Sequence, residues 1–382
     1  MQNESIEIKN FGPIKDVRID TVKPLTVLIG DSGSGKSTIM KLLALFQWIY
    51  KMSCVRSYLH YSGITKSPFR FRFESYLKNN GLDDYLQAGS EIVYTNGTHR
   101  IAYNKETKLQ LTPRYVPMQE LSLEKVVFIS DQRGMIPELL QNGGHLANNY
   151  YLFDTYENYK RASEAIKTFN VDYLGVKLQV KKTPHREKHE ILPSHVENGN
   201  YSVALSHSSS GTKNVVPLNL IVEYFSKHYD LVETLNRSIL SYVSQSDNLK
   251  AFKAANNVGE FPNKRVSLLV EEPELSLFPS AQLGLMDFLM NRCFVQSNKG
   301  YNISLMLATH SPYIVNYLNV LIRRRRENPT HIDGDKVAVY RVYDGKLQNL
   351  MQSNKENGMV SVNSADFAEP ISEMLEEYRS LR

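Results

Sequence analysis

Residues Gly30, Asp31, Ser32, Gly33, Ser34, Gly35, Lys36, Ser37 and Thr38 form a run that follows the apolar stretch Leu25–Ile29 and precedes the helix formers of residues 39–48. A strand, a loop of the form GxxxxGK[ST] and a helix, in that order, make a nucleoside-triphosphate site and set the chain among α/β folds. Glycines at Gly30, Gly33 and Gly35 let the backbone curl round phosphates without side-chain clashes. The loop N–H groups and the helix N-terminus then face the anion. Lys36 supplies a cation to the β- and γ-phosphates, and the Ser37 hydroxyl a ligand for Mg²⁺.

Two further apolar runs end in chemistry. Residues 266–270 lead into Glu271, Glu272, Pro273 and Glu274, as a buried strand delivers carboxylates to the C-terminal edge of a sheet. Glu271 is placed to hold Mg²⁺, directly or through water, and Glu272 to polarise an attacking water. Residues 304–308 lead into Thr309, His310, Ser311 and Pro312. An imidazole at His310 can hydrogen-bond a γ-phosphate or that water. Singly, paired acids after a strand are often a solvated turn, and a lone His is more often structural. The order and spacing of the three motifs join them into one site. Between them, Ser209, Ser210 and Gly211 open a helical stretch and leave N–H groups and hydroxyls for an anion. A plain Ser-rich helix cap is the simpler reading of that segment taken alone.

With these motifs in this order, the chain resembles stand-alone ABC-class ATPase heads of the OLD/AAA-15 type, a branch of the group that includes RecF and SMC heads. The resemblance rests on Gly30 to Ser37, on Ser209 to Gly211, on Glu271 to Glu274 and on Thr309 to Pro312, and extends to the opening strand and turn at residues 6–14. Glu271 stands where ABC heads usually have Asp, and the signature lacks the usual double glycine; both fit the OLD-like branch. The resemblance implies a P-loop α/β head with an antiparallel β subdomain and a short helical insertion. It implies MgATP as cofactor and slow hydrolysis in a homodimer, with Lys36 and Ser37 of one subunit facing Ser209 and Gly211 of the other. It implies that Gln132, after the strand at residues 126–130, contacts Mg²⁺ and senses the γ-phosphate. A polar strand-end turn explains Gln132 equally. Arg133 matches an Arg often found at that strand end.

The whole of residues 1–382 is expected to be one head, with residues 1–134 and 200–382 as nucleotide-binding core and 135–199 as the insertion. That insertion lacks heptads and is too short for a coiled-coil arm. The pattern predicts strands within residues 1–30, a helix over 69–85, a hairpin over 91–103 turning at Asn96-Gly97, a helix over 149–169 and a hairpin over 176–192. It then predicts a surface loop over 242–262, a helix over 313–324, a strand over 336–342 and a last helix over 369–381.

Composition adds exclusions. The chain is 42% hydrophobic, with 45 Lys and Arg against 40 Asp and Glu. No apolar run approaches ~20 residues, so no membrane-spanning helix is expected. The polar N-terminus and two cysteines, Cys54 and Cys293, fit a reduced, cytoplasmic setting and packed thiols. Net charge of +5 permits nucleic acid without demanding it. The densest basic run, Arg323, Arg324, Arg325 and Arg326, reads either as a solvated face or as a contact for nucleic acid or an acidic partner. Asp333-Gly334-Asp335 mimics a metal motif but sits at a turn, and about seventy residues after His310 are too few for the Toprim nuclease domain of full OLD proteins. The expectation is therefore an ATPase that is not a nuclease. It senses or regulates for a separately encoded effector in antiphage defence or DNA maintenance. A RecF-like DNA-repair ATPase is the alternative, and a transporter-driving subunit a third.

Overall fold

A computed structural model of the chain describes all residues except 1–2, 65–70, 143–149, 184–186, 195–200, 245–251, 256, 296–299, 354–359, 368 and 382. The N-terminal part contains β1 (Glu4–Phe11), β2 (Ile14–Ile19), β3 (Leu25–Ile29), α1 (Lys36–Tyr61) and α2 (Phe73–Asn79). There follow β4 (Leu86–Asn96), β5 (His99–Asn104), β6 (Lys108–Thr112) and β7 (Ser122–Ile129). Then come α3 (Ile136–Asn142), α4 (Tyr150–Ala165), β8 (Thr168–Val171), β9 (Val176–Lys182), β10 (Glu187–Pro193) and β11 (Val203–Ala204). The chain continues through α5 (Ser210–Glu223), α6 (Leu231–Ser244), β12 (Asn263–Glu271), α7 (Pro279–Met290), β13 (Asn302–Thr309) and α8 (Pro312–Arg323). It ends with β14 (Val337–Tyr343), β15 (Lys346–Asn349), β16 (Met351–Ser353), β17 (Val360–Val362) and α9 (Glu369–Ser380).

One sheet of eleven strands organises the fold, in the order β6-β5-β4-β1-β2-β15-β14-β3-β13-β12-β7. Its parallel half runs β14-β3-β13-β12-β7. All five residues of β3 are buried, as are the last six of β12, because strands covered on both faces are apolar throughout. The antiparallel wing is continuous with this half. There β1 alternates buried and part-buried residues, the pattern of a strand with one face to the core. Helix α1, about 39 Å long, buries residues on all sides and packs on β4, β7, β12 and β13. A separate four-stranded antiparallel sheet, β11-β10-β9-β8, lies within residues 168–204. Among the described residues, no helix is long and apolar enough to cross a membrane.

Several boundaries differ from the sequence expectation. The helix expected over 69–85 is only α2, and part of that span lies outside the described residues. Gly81, at φ +63°, ends it: the Leu82 N–H bonds the Leu77 carbonyl and the Gly81 N–H that of Lys78, a glycine-terminated cap. In the hairpin, Asn96 pairs with His99, so the turn is Gly97-Thr98 with only Gly97 at positive φ. That is a Gly-first turn shifted one residue from the Asn-Gly turn expected. The helix expected over 149–169 stops at Ala165, and Phe169 belongs to β8; residue 149 lies outside the described residues. The loop expected over 242–262 is shorter, since α6 runs through Ser244, and Val258 and Phe261 are buried anchors. Residues 245–251 and 256 of that span lie outside the described residues. Cys54 and Cys293 are buried free thiols.

Candidate nucleotide site

The C-terminal ends of β3, β12 and β13 meet at one edge of the sheet. In sequence-distant pairs, Thr309 sits beside Ile29 and Glu271 beside Ala308. Parallel pairing therefore brings the P-loop, the acid pair and the Thr-His-Ser cluster to a common rim.

Residues 30–35 turn from β3 into α1, with Ser34 N–H bonding the Asp31 carbonyl and Asp31, Ser32 and Gly33 exposed. At Gly30 a Cβ would lie 2.4 Å from the Val342 carbonyl of neighbouring β14, so only glycine fits. Gly35 caps α1 at φ +107°, a conformation side chains rarely adopt. Lys36 is buried, and its ammonium donates to the carbonyls of Gly30 and Asp31, each at 2.8 Å. Burial holds that ammonium below the usual lysine range, against the opposing pull of Glu272, Asp31 and Glu274. Thr38 is buried in the first turn, while Ser37 is exposed.

Glu271 is almost fully buried at the end of β12. Ser37 and the Asp131 backbone stand beside its carboxylate, and Lys41 Nζ lies 3.7 Å away. Burial raises its pKa above the usual carboxylate range, and Lys41, Ser37 and the Asp131 backbone oppose that rise. Glu272 adopts φ +42°, costing about 1–3 kcal/mol for a non-glycine residue. Its N–H bonds the Ala308 carbonyl at 2.8 Å, and its carbonyl accepts from Arg133 Nη2 at 2.6 Å. This bend turns the Glu272 carboxylate toward His310, with Oε1 3.6 Å from Nε2 and both side chains about one third exposed. Glu274 accepts from the His310 backbone N–H at 2.6 Å. Ser311 caps α8 and donates to Gln282. Thr309 Oγ1 accepts from the Ser311 N–H.

Hard oxygen donors suit Mg²⁺. The Ser37 hydroxyl and Glu271 carboxylate already share one point beside the Lys36 loop, so this donor set fits the cation. Gln132 stands exposed on the turn one residue past Asp131, its N–H on Ser130 Oγ. Lys41 was not anticipated. It lies one helical turn beyond Ser37 on α1, a spacing that places both on one face and was readable in the sequence.

The Ser209–Gly211 turn is elsewhere. Ser209 caps α5 through Thr212, and a Cβ on Gly211 would meet the Ser276 carbonyl at 2.8 Å. Ser209 and Ser210 are exposed. Among the described residues, no hydrogen bond joins this turn to the P-loop of the same chain. The arginine run does not act as a unit. Arg324 packs on Tyr317 and bonds Asp287, Tyr317 and Thr330, while Arg323, Arg325 and Arg326 are exposed. Asp333 is engaged by Lys336, His331 and Arg326, and the first two hold its carboxyl below the usual range. Among the described residues, no group of three or more His, Cys, Asp or Glu is arranged to hold a metal ion.

Residues 1–80 match the AAA_15 family, the AAA ATPase domain. The matched span holds β1–β3, the P-loop and α1, and ends before β12 and β13. No curated protein matches the chain. Among solved structures, an SMC head bound to the C-winged helix domain of ScpA is similar over 94% of this chain and 100% of its own, at 12% identity and TM-score 0.41. The recombination mediator protein RecF with ATPrS, of the RecFOR pathway, is similar over 91% and 99%, at 12% identity and TM-score 0.38. The SMC head domain from Thermotoga maritima is similar over 91% and 98%, at 10% identity and TM-score 0.36.

Proposed function

We propose that the chain binds ATP with Mg²⁺ at the P-loop and hydrolyses it slowly. The observation that carries this reading is buried Glu271 beside Ser37 and 3.7 Å from Lys41, close to buried Lys36, with Glu272 and His310 3.6 Å apart on the same rim. Lys36 and the loop N–H groups hold the β- and γ-phosphates. Ser37 and Glu271 hold Mg²⁺, with Gln132 as a further oxygen, and the cation there neutralises phosphate charge. Glu272 accepts a hydrogen bond from the attacking water and aligns it, and His310 steadies Glu272 or the γ-phosphate oxygen.

The site is completed in trans in this reading. Exposed Ser209 and Ser210 and the α5 N-terminus of one subunit close over the P-loop of a second copy, giving a homodimer with two head-to-tail sites. The output passes to a separately encoded cytoplasmic effector, in antiphage defence or DNA maintenance, and the chain does not itself cut nucleic acid. That role rests on the resemblance to OLD-type heads. A RecF-like DNA-binding ATPase is the competing role, and stimulation of turnover by duplex DNA alone would favour it.

Phosphate release and light scattering with and without MgATP test the reading together. The expected result is Mg²⁺-dependent release and an ATP-dependent doubling of mass. Purified chain that neither binds ATP nor releases phosphate overturns it.

A further inference from the structure

A second cavity, of about 380 Å³, opens between α1, α2, β7 and α4. Its wall on α1 includes Trp48, about 18 Å along the helix from Lys36 at 1.5 Å per residue. The volume lies within the range of small-molecule sites. Tyr150 and Tyr151 of α4 add aromatic rings to the lining. The side-chain amides of Asn79 at the end of α2 and of Asn80 just past it line it too, the latter already donating to the Tyr76 carbonyl.

The charges in this cavity are unbalanced. Lys51 and Lys125 both line it, against the single carboxylate of Asp154, which already accepts from the Phe128 N–H. Among the described residues, neither ammonium has a hydrogen-bond or ion-pair partner. Burial and the neighbouring Lys125 charge push Lys51 down to about 8. The Tyr151 side chain is 6% exposed, and its hydroxyl has no hydrogen-bond partner among the described residues. Two half-buried cations that share one carboxylate, Lys125 also lying over the Phe225 ring, and a buried orphan hydroxyl leave room for an anion to meet them. Flat rings suit a planar partner, and amides suit the polar edge of a heterocycle.

Tyr151 also reaches the nucleotide rim. Its ring lies 5.1 Å from Lys41 Nζ, and the same ammonium stands 3.7 Å from Glu271 Oε1. A ligand packed on Tyr151 therefore bears on the Lys41–Glu271 pair.

We propose that this cavity is a second ligand site, for a heteroaromatic phosphate of mononucleotide size, and that its occupancy is passed to Glu271 through Tyr151 and Lys41. The binding half stands without the ATPase reading; the coupling half rests on it.

Trp48 is the chain's single tryptophan, so its fluorescence reports on this cavity. AMP, GMP, CMP and UMP are titrated into protein whose P-loop is saturated with Mg²⁺ and a slowly hydrolysed ATP analogue. At least one is expected to change Trp48 emission, with Lys51→Met weakening it about tenfold or more and Lys51→Arg restoring it. Thermal melting confirms that each variant is folded. No change in emission at about 1 mM of any nucleotide, loss of the signal through competition by the ATP analogue, or indifference to Lys51→Met overturns the second site. In wild-type protein the binding nucleotide is expected to change single-turnover phosphate release about fivefold or more. Lys51→Met abolishes that effect. Binding without any effect on release overturns the coupling alone. Absence of release in every condition counts against the ATPase reading, while the fluorescence still decides the site.

Discussion

Arg133 Nη1 donates to the backbone carbonyl of Glu271 at 2.7 Å, from a side chain with no exposed surface. The same guanidinium also bonds the carbonyls of Ser130, Glu272 and Asn214. It thus ties the end of β7, the tip of β12 and the α5 signature helix to one rigid fork. Burial pushes its pKa down to about 10, so it stays charged at neutral pH.

Arg133→Met is therefore expected to lose about 3 kcal/mol of stability, because buried carbonyls are left unpaired. Arg133→Lys keeps the charge but cannot span the four acceptors. It should retain nucleotide affinity while phosphate release falls. Urea unfolding and single-turnover release check both; unchanged release in Arg133→Lys would show that the fork does not position Glu272.

Glu272→Gln keeps the shape of the side chain but removes the carboxylate that aligns water. Release is expected to fall about 10²–10⁴-fold with ATP still bound, and the ATP-bound dimer should accumulate in light scattering. An ATP-loaded variant that stays monomeric would count against the sandwich.

The rim was legible because each of its motifs ends a continuous apolar strand. Leu25–Ile29 before Gly30, and residues 266–270 before Glu271, carry their chemistry in local order. The Glu271–Lys41 contact was less visible. It needs the helical register of α1 together with parallel pairing of β12 and β13, which a linear pattern does not display. Arg324 was hidden for another reason. Four identical residues read as one patch, yet the end of α8 turns one of them onto Tyr317 and Asp287. The hairpin slipped by one residue because Asn96 kept its place in the ladder opposite His99 and left Gly97 to open the turn. The second cavity has no local signal at all, since α1, α2, β7 and α4 contribute two to four residues each from distant segments.

The split of the arginine run has a direct consequence. Arg324→Ala is expected to cost about 2 kcal/mol, the scale of buried charge-assisted hydrogen bonds. Arg323→Glu and Arg325→Glu should leave stability within about 0.5 kcal/mol. If the exposed pair meets phosphates, each reversal should flatten the salt dependence of DNA binding by about one log unit per lost contact. An unchanged slope returns both residues to a solvated face.

Two histidines make the fold sensitive to mild acid. Burial lowers His99 and His189 to about 4, with Arg56 acting further on His99 and Lys167 on His189, while Glu120 and Glu187 pull the other way. Unfolded histidine titrates near 6.5. Between pH 6.5 and 4 the unfolded chain binds protons that the native chain does not, so stability rises with pH in that window. It is complete above about pH 6.5 and falls by about 3 kcal/mol per histidine as pH drops toward 4. Urea midpoints across pH 7 to 5 test this before carboxylates dominate. His99→Phe should flatten the slope, and an unaltered slope would exclude His99 as a cause.

The trans arrangement predicts recovery from two dead proteins. Ser209→Arg places bulk on the exposed signature turn, where it would obstruct the opposing subunit's P-loop but not its own. Nucleotide binding should survive while turnover is lost. Lys36→Ala removes the phosphate cation from a P-loop but leaves its signature turn intact. Each homodimer is inactive, since both of its sites carry one defect. In a mixed dimer, one site carries both defects and the other pairs a native P-loop with a native signature turn. Random exchange makes about half of the dimers mixed, each with one working site, so an equimolar mixture should recover about a quarter of wild-type phosphate release. Recovery must track dimer exchange and vanish when the two variants are assayed in separate vessels. A mixture that stays silent after exchange is verified by light scattering with a size-tagged subunit would place the signature turn outside the nucleotide site.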